Sequence, residues 1–208
     1  MPDPVCVRCR GPLHTPEHHG AWACPEHGDV EPLHPALPPE EGHLLDVASS
    51  SGVPVWMPWP MPVGWSVSGV RRAGGTGPSR GVAVSLTGSG LTARVAELVL
   101  VAEEPGVGLG ASYAGLRATD PGPELADLPR DTRLTAAGHP TALWSLPVSD
   151  RAVYVGEAGG LWLWVVVWPV DEWMVVHDDL HLVDARAAEN RAFLTQLPTA
   201  ALSPRLAG

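Results

Sequence analysis

Short apolar runs, separated by turns rich in glycine and proline, fill most of the chain after residue 64. Valine, leucine and tryptophan dominate the runs, a composition typical of β-strands. This pattern predicts strands at Trp65–Ala73, Arg80–Leu86, Ala96–Ala102, Thr141–Ser145, Ala152–Val155, Leu161–Trp168, Trp173–Val176 and His181–Val183. The fold class that we expect is α+β, mainly antiparallel β.

The strongest of these runs, Leu161–Trp168, has no polar residue. A continuous apolar run of this length is typical of a central strand that is buried on both faces. The turn residues after Trp168 predict a hairpin that leads into the strand Trp173–Val176.

Helical patterns are few. A short helix is predicted at Leu109–Leu116, and a better one at Asp184–Leu197. Asp184 is suited to the N-cap position, and the apolar positions near the end of the second helix form one patch.

The N-terminus carries the most specific motif in the chain, Cys6-x2-Cys9 followed after fourteen residues by Cys24-x2-His27. Two pairs of soft ligands with this spacing can close a tetrahedron around one zinc ion. A glycine follows each pair and supplies the positive φ that tight turns need. We therefore predict a small zinc ribbon with a structural zinc ion, because four protein ligands leave no open coordination position.

Two alternatives to this ligand set stay open. The three cysteines are free and cluster by chance, or another nearby histidine replaces His27 as the fourth ligand. The candidate replacements are His14, His18, His19 and His34. About 30 residues bury too little apolar surface to fold alone, so a metal ion would supply much of the folding free energy.

The composition predicts three regions: the zinc ribbon at 1–34, a proline-rich linker at 35–43, and a β-rich α+β domain at 44–208. Four prolines fall within 53–65, where Trp56, Trp59 and Trp65 also lie. Such a stiff segment can insert its tryptophans into the core or present them to a partner, since tryptophan is favoured at interface hot spots.

Catalytic signatures are scarce, and we predict no catalytic residue. Glu103, Glu104 and Glu157 are candidates for a carboxylate-lined pocket, with surface charge as the alternative. The glycine-rich stretch 106–115 favours a structural turn over a dinucleotide loop. His177, Asp179 and His181 would share a face of a strand and could bind a second metal ion, but we favour a polar turn between two strands.

The charge balance narrows the classes of partner. The chain has thirteen arginines, no lysine and a net charge of −10, which argues against nucleic-acid binding. The longest apolar run, at 159–170, is shorter than the roughly 20 residues that span a bilayer, so we expect no membrane association. The chain shows no secretory signal pattern, and cysteines assigned to metal indicate a reducing compartment, so we expect a cytoplasmic protein.

Several segments together resemble a known family. They are the two ligand pairs, the segment 53–65, Leu100–Ala111, Asp150-Arg-Ala-Val, Gly156–Trp164 and Ala201–Leu206. On these segments, the chain is similar to an uncharacterised actinobacterial family, a domain of unknown function with an N-terminal zinc ribbon. Some members of that family carry a phosphotransacetylase label, but no phosphate or coenzyme A site is visible in these residues.

The sequence favours a zinc-binding protein that acts as a non-enzymatic protein–protein interaction or adaptor module. The ribbon and the tryptophan–proline segment would contact a protein partner, and the acidic balance suits a basic or amphipathic one. The alternative is a small-ligand-binding protein or enzyme with a pocket lined by tryptophans and by Glu103, Glu104 and Glu157. A homo-oligomer is compatible with either interpretation.

Overall fold

A computed structural model describes residues 3–15, 21–90, 94–117, 119–125, 128–176 and 180–207. The structure is rich in β-strands, mostly antiparallel, with few helices. This confirms the fold class at that level.

One large sheet has the strand order β1-β4-β6-β7-β8-β12-β11-β10-β9-β13-β5, and its only parallel pair in the described chain is β13 with β9. Strands β2 and β3 form a second, small sheet. The strands are β1 Val5–Cys6, β2 Ala23–Cys24, β3 Gly28–Asp29, β4 Pro32–Leu33, β5 Trp56–Pro58, β6 Trp65–Ala73, β7 Gly81–Ser89, β8 Val95–Glu103, β9 Thr132–Ala136, β10 His139–Leu146, β11 Ala152–Ala158, β12 Leu161–Trp168 and β13 His181–Asp184.

The helices are short and lie against the sheet. They are α1 Glu41–Ser50, α2 Leu109–Ala114, α3 Gly122–Leu125, α4 Ala188–Leu194 and α5 Pro204–Ala207, with a 3-10 helix at Val170–Val176. None of the helices in the described residues has the length and apolar content needed to cross a membrane.

Strand β12 lies in the middle of the sheet, between β8 and β11. Its side chains alternate between two apolar cores, as the period of a strand requires. Leu163 and Val165 join the core on one face, whereas Trp164 and Val166 join the core on the other face. The prediction of a central strand buried on both faces is therefore confirmed.

Different helices cover the two faces. Helices α1 and α4 contribute Leu44 and Phe193 to the first core. Helices α2 and α5 contribute Leu109 and Leu206 to the second core, which also contains Val7 from the N-terminal segment. The second face of the sheet therefore carries the metal-ligand motif.

The N-terminal segment is joined to the main sheet by backbone pairing. Strand β1 pairs with β4, and Leu33 of β4 pairs with Ala73 of β6. The chain then continues along β6, where Leu37 exchanges hydrogen bonds of 2.8 and 3.0 Å with Val70. The segment 35–43, expected as an extended linker, thus begins alongside the sheet and ends inside α1, which starts at Glu41.

Helix α1 is absent from the sequence-based prediction. Its Leu44, Val47 and Ala48 are buried at helical spacing. Gly42 near its start and two serines at its end have low helix propensity, which hides the short pattern. Packing of the apolar face against the sheet therefore outweighs the local preference.

The predicted strand Trp173–Val176 is wrong, because this stretch belongs to the 3-10 helix Val170–Val176. The Glu172 N–H donates a hydrogen bond of 3.0 Å to the carbonyl of Pro169, the i to i+3 pattern of this helix type. The predicted helix Asp184–Leu197 is shorter in the structure, since α4 begins at Ala188 and its N-cap is Ala187. Asp184 instead ends β13.

The contact between α2 and β12 leaves no space for a side chain at Gly110, because a Cβ there would lie inside the Trp164 ring. We predict that Gly110→Ala lowers the free energy of unfolding by about 1–3 kcal/mol, the usual cost of overpacking. Urea denaturation measures the change.

Gly42→Ala is the matched control, since Gly42 lies in α1 and a Cβ there meets no atom within 4 Å. We expect this variant to be unchanged or up to about 1 kcal/mol more stable. Equal stability of the two variants would contradict the described packing of α2.

Candidate metal centre and its surroundings

Two tight turns position the predicted metal ligands. In the first, the Cys6 N–H donates to the Gly11 carbonyl at 2.8 Å, and the Arg10 N–H donates to the Cys6 carbonyl at 2.9 Å. The positive φ falls on Arg10, at 63°, and not on the glycine that was predicted to supply it. A Cβ on Gly11 would lie 3.2 Å from Cys9 Sγ, a tight contact, so the glycine leaves space beside this ligand.

The second turn joins β2 to β3 and follows the prediction more closely. Cys24 ends β2, and Gly28 begins β3 with a φ of 65°. A glycine adopts this left-handed conformation without the steric cost that other residues bear. His27 is thereby turned back toward Cys24.

The two turns bring the four predicted ligands together. The ligand atoms of Cys6, Cys9, Cys24 and His27 all lie within 4.8 Å of one another. The Cys9 and Cys24 Sγ atoms are 3.7 Å apart, and His27 Nδ1 lies 3.5 Å from Cys24 Sγ and 3.8 Å from Cys6 Sγ. The cysteines are free thiols, with Cys6 and Cys24 buried and Cys9 exposed. These four residues are therefore close enough to bind one metal ion.

Of the other histidines that the sequence offers as ligands, the structure describes His14 and His34, and neither belongs to the ligand cluster. His34 Nε2 lies 2.8 Å from the Gly74 carbonyl, in a hydrogen bond away from the cysteines. His14 is exposed and contributes only backbone hydrogen bonds with Ala23. His18 and His19 lie outside the described residues, as do His177 and Asp179 of the second predicted trio.

The surroundings of Cys24 and Cys9 shift their pKa values in opposite directions. Burial alone would raise the pKa of Cys24, but the backbone N–H groups of Glu26 and His27, together with the His27 ring, lower it to about 6. Although Cys9 is exposed, partial desolvation of its thiol raises the pKa to about 11, and the neighbouring Cys24 and Cys6 thiols add to the rise. The thiolate is the metal-binding form, so Cys9 must release a proton when a metal ion binds.

The tryptophans predicted as contact residues have different positions. Trp56 and Trp65 are 5% and 6% exposed and belong to the first core. They offer almost no surface to a partner, so of the two positions that the sequence leaves open they occupy the core. Trp59 is 38% exposed and stacks on Phe193 of α4 with a centroid distance of 4.6 Å.

The three carboxylates predicted to line a pocket do not face one another. Glu104 is on the surface, where its Oε2 accepts a hydrogen bond of 2.7 Å from Arg80. Glu157 is exposed on β11. Glu103 alone is fully buried. The predicted pocket of tryptophans and glutamates is thus not formed by these residues.

Glu103 binds the start of helix α2. Its carboxylate accepts hydrogen bonds from the backbone N–H groups of Leu109 at 2.6 Å and Gly110 at 3.1 Å. These amides are the ones that a phosphate would need at this glycine-rich turn. The stretch 106–115 is therefore the structural turn that the sequence favours, with an internal carboxylate in place of an anion.

Sequence reasoning missed a cleft beside the cysteines. Arg8 and Arg10 from the first turn meet Arg151 and Arg205 there, with Tyr113 from α2. The distant pair lies in two of the segments that carry the family resemblance, Asp150-Arg-Ala-Val and Ala201–Leu206. The family resemblance of those segments was the one sequence signal for the cleft. The net negative charge of the chain gave no indication of a local basic site.

The buried carboxylate predicts a specific dependence of stability on pH. Burial raises the pKa of Glu103 from 4.5 to about 7, although the Leu109 and Gly110 amides oppose the rise. The folded protein then holds this proton more tightly than the unfolded chain does. Its stabilising effect is complete below pH 4.5 and disappears as the pH rises through 7.

We therefore predict that Glu103→Gln gains stability relative to the wild type, on the order of 3 kcal/mol, as the pH rises from 4 to 8. Urea denaturation of both proteins across this range measures the difference, and titration of the shared metal ligands cancels in it. Glu104→Gln is the control and should show no such trend. A constant difference between Glu103→Gln and the wild type would refute the assignment.

Comparisons with known proteins give one match. No curated protein and no solved structure is significantly similar to this chain. A family model, described as a family of unknown function (DUF6758), matches residues 1–206. The match covers nearly the whole chain, including both ligand pairs and the arginines of the cleft, and the chain therefore belongs to this family of unknown function.

Proposed function

We propose that the metal ion is zinc and that its role is structural. Zn–S bonds of about 2.3 Å and a Zn–N bond of about 2.0 Å place tetrahedral ligands about 3.8 Å (S to S) and about 3.5 Å (S to N) apart. The distance of 3.7 Å between Cys9 and Cys24, and those of 3.5 and 3.8 Å to His27, are close to these values. Four protein ligands complete the shell of such an ion.

This proposal predicts one zinc ion per chain, lost in Cys24→Ser and retained in His14→Ala, as atomic absorption would measure. The binding free energy of a structural zinc ion contributes to folding. Removal of the ion by a chelator should therefore lower the melting temperature by about 10 °C or more. Stoichiometric zinc in Cys24→Ser would contradict the assigned ligands.

We also propose that the protein is a non-enzymatic interaction module that binds a protein partner. The observation that carries this proposal is a group of exposed apolar side chains at one end of the sheet, the apolar patch: Val63, Val95, Trp173 and Met174. Their exposed fractions are 100%, 73%, 42% and 52%. Exposed apolar groups that gather on one surface are typical of interaction sites.

Contacts among neighbouring residues place the patch at one end. Ser89 at the end of β7 pairs with Val95, and its Oγ lies 3.9 Å from where a Cβ on Gly64 would be. Gly90 lies against the side chain of Glu172, which adjoins Trp173. These contacts bring the 62–64 turn, the β7–β8 hairpin and the 3-10 helix together.

The partner that suits this surface is an amphipathic segment with basic residues beside its apolar face. The chain has a net charge of −10, and the exposed Asp171 adjoins the patch. Complementary charge speeds association and selects among apolar partners. Trp59, the exposed member of the predicted tryptophan set, lies four residues before Val63 and is a second candidate contact residue.

The test is quantitative capture of a partner by the metal-loaded protein from the lysate of its source organism. We expect one basic partner that is lost with Trp173→Ser/Met174→Ser and weakened with Trp59→Ala. Leu128→Ser is the matched control, because Leu128 is 38% exposed outside the patch. Retention of every captured protein by the double variant would overturn the proposal, and sedimentation would detect self-association through the same patch.

A further inference from the structure

The cleft beside the cysteines has the size of a small-ligand site. It encloses about 380 Å³ between the first ligand turn, α2, α5 and the adjoining ends of β11 and β12. Pockets for small molecules typically begin at about 300 Å³. Arg8, Arg10, Arg151 and Arg205 line the cleft with Tyr113 and Trp168, and no acidic residue is part of the lining.

The charges in the cleft are only partly neutralised. Arg151 makes two hydrogen bonds of 2.8 and 2.6 Å to the carboxylate of Asp150. Arg205 has a single, longer contact of 3.3 Å with Glu97. Among the described residues, Arg8 and Arg10 form no ion pair.

Two nitrogen atoms in this group are buried and make no hydrogen bond within the described structure, Arg8 Nε and Arg10 Nη1. A buried donor without an acceptor is costly, and more so when it is charged. A ligand oxygen in the cleft would supply an acceptor to these guanidinium groups.

Aromatic rings hold three of the four guanidinium groups in place, and Arg8 instead donates a hydrogen bond of 2.8 Å to the Gly106 carbonyl. The Arg10 guanidinium lies over the Tyr113 ring at 4.7 Å, and those of Arg151 and Arg205 lie over Trp168 at 5.2 and 5.4 Å. Arg151 also donates a hydrogen bond of 2.6 Å to the Tyr113 carbonyl. These contacts reduce the conformational entropy that the arginines would lose on binding.

We propose that this cleft binds a small-molecule oxyanion, with a carboxylate or phosphate group held by Arg8, Arg10, Arg151 and Arg205. The planar fork of arginine matches both groups with paired hydrogen bonds, which a lysine could not do. The cleft is independent of the apolar patch, which lies on other residues.

A competing role for these arginines is to balance the charge of the metal cluster. Three thiolates around a divalent ion carry one net negative charge, whereas four arginines line the cleft. Arg8 and Arg10 flank Cys9 in the sequence and could serve the cluster. Arg205 belongs to α5 and contacts Glu97, not the metal ligands. A variant of Arg205 therefore tests ligand binding in the cleft without removing a charge beside the metal cluster.

The experiment is calorimetric titration of the metal-loaded full chain with pyrophosphate and, separately, with citrate. We expect saturable binding of at least one probe. Arg10→Gln and Arg205→Gln should each weaken it at least about tenfold, since hydrogen bonds to charged groups contribute that much affinity. Arg133→Gln is the control, because Arg133 is exposed on β9, outside the cleft.

The two probes distinguish a phosphate site from a carboxylate site, and zinc content and thermal melting confirm that each variant is folded. Unchanged affinity in folded, metal-loaded Arg205→Gln would overturn the proposal, as would an equal loss in Arg133→Gln. Failure of both probes to bind, with zinc affinity reduced in Arg10→Gln, would assign the arginines to the metal cluster instead.

Discussion

The structure of the N-terminal segment, which packs on the second face of the sheet, depends on the arrangement of four ligand atoms. Cys6, Cys9, Cys24 and His27 converge within 4.8 Å, although the two pairs are fourteen residues apart. A segment this short has too little apolar surface to hold such a shape alone. Its strand β4 continues the main sheet, so the sheet edge fixes where the ligand cluster lies.

The same turn that presents Cys6 and Cys9 also presents Arg8 and Arg10. Their side chains meet residues from α2, the start of β11, the end of β12 and α5, which the two-sided packing of the sheet brings to the same face. A local ligand motif thus becomes part of a surface that is assembled from five separate parts of the chain. We see in this assembly the reason why a protein with a net charge of −10 has a basic cleft.

Local sequence patterns were sufficient to predict the central strands and the ligand cluster. The run Leu161–Trp168 is the strand β12 with the same limits, because both of its faces are apolar and glycines precede it. The ligand pairs were equally clear, since spacing and residue type alone define their chemistry. The resemblance to a family of unknown function is also confirmed by the family model.

Features that depend on tertiary packing were less accessible. Helix α1 has a weak local helix propensity and forms because it packs against the sheet. The stretch after Pro169 forms a 3-10 helix where a strand was expected. The burial of Glu103 and its separation from Glu157 depend on tertiary contacts, because α2 covers Glu103, whereas Glu157 lies on the same face but two strands away, beyond Trp162. The arginine cleft requires contacts between residues more than a hundred positions apart, which no local pattern encodes.

Hydrogen–deuterium exchange of the metal-loaded and the metal-stripped chain shows whether a metal ion holds the N-terminal segment in place. We predict that metal removal speeds amide exchange in 3–15 and 21–34 and in α2, while β11 and β12 stay protected. Unchanged exchange in the N-terminal segment would contradict it, because the segment would then be held by packing alone.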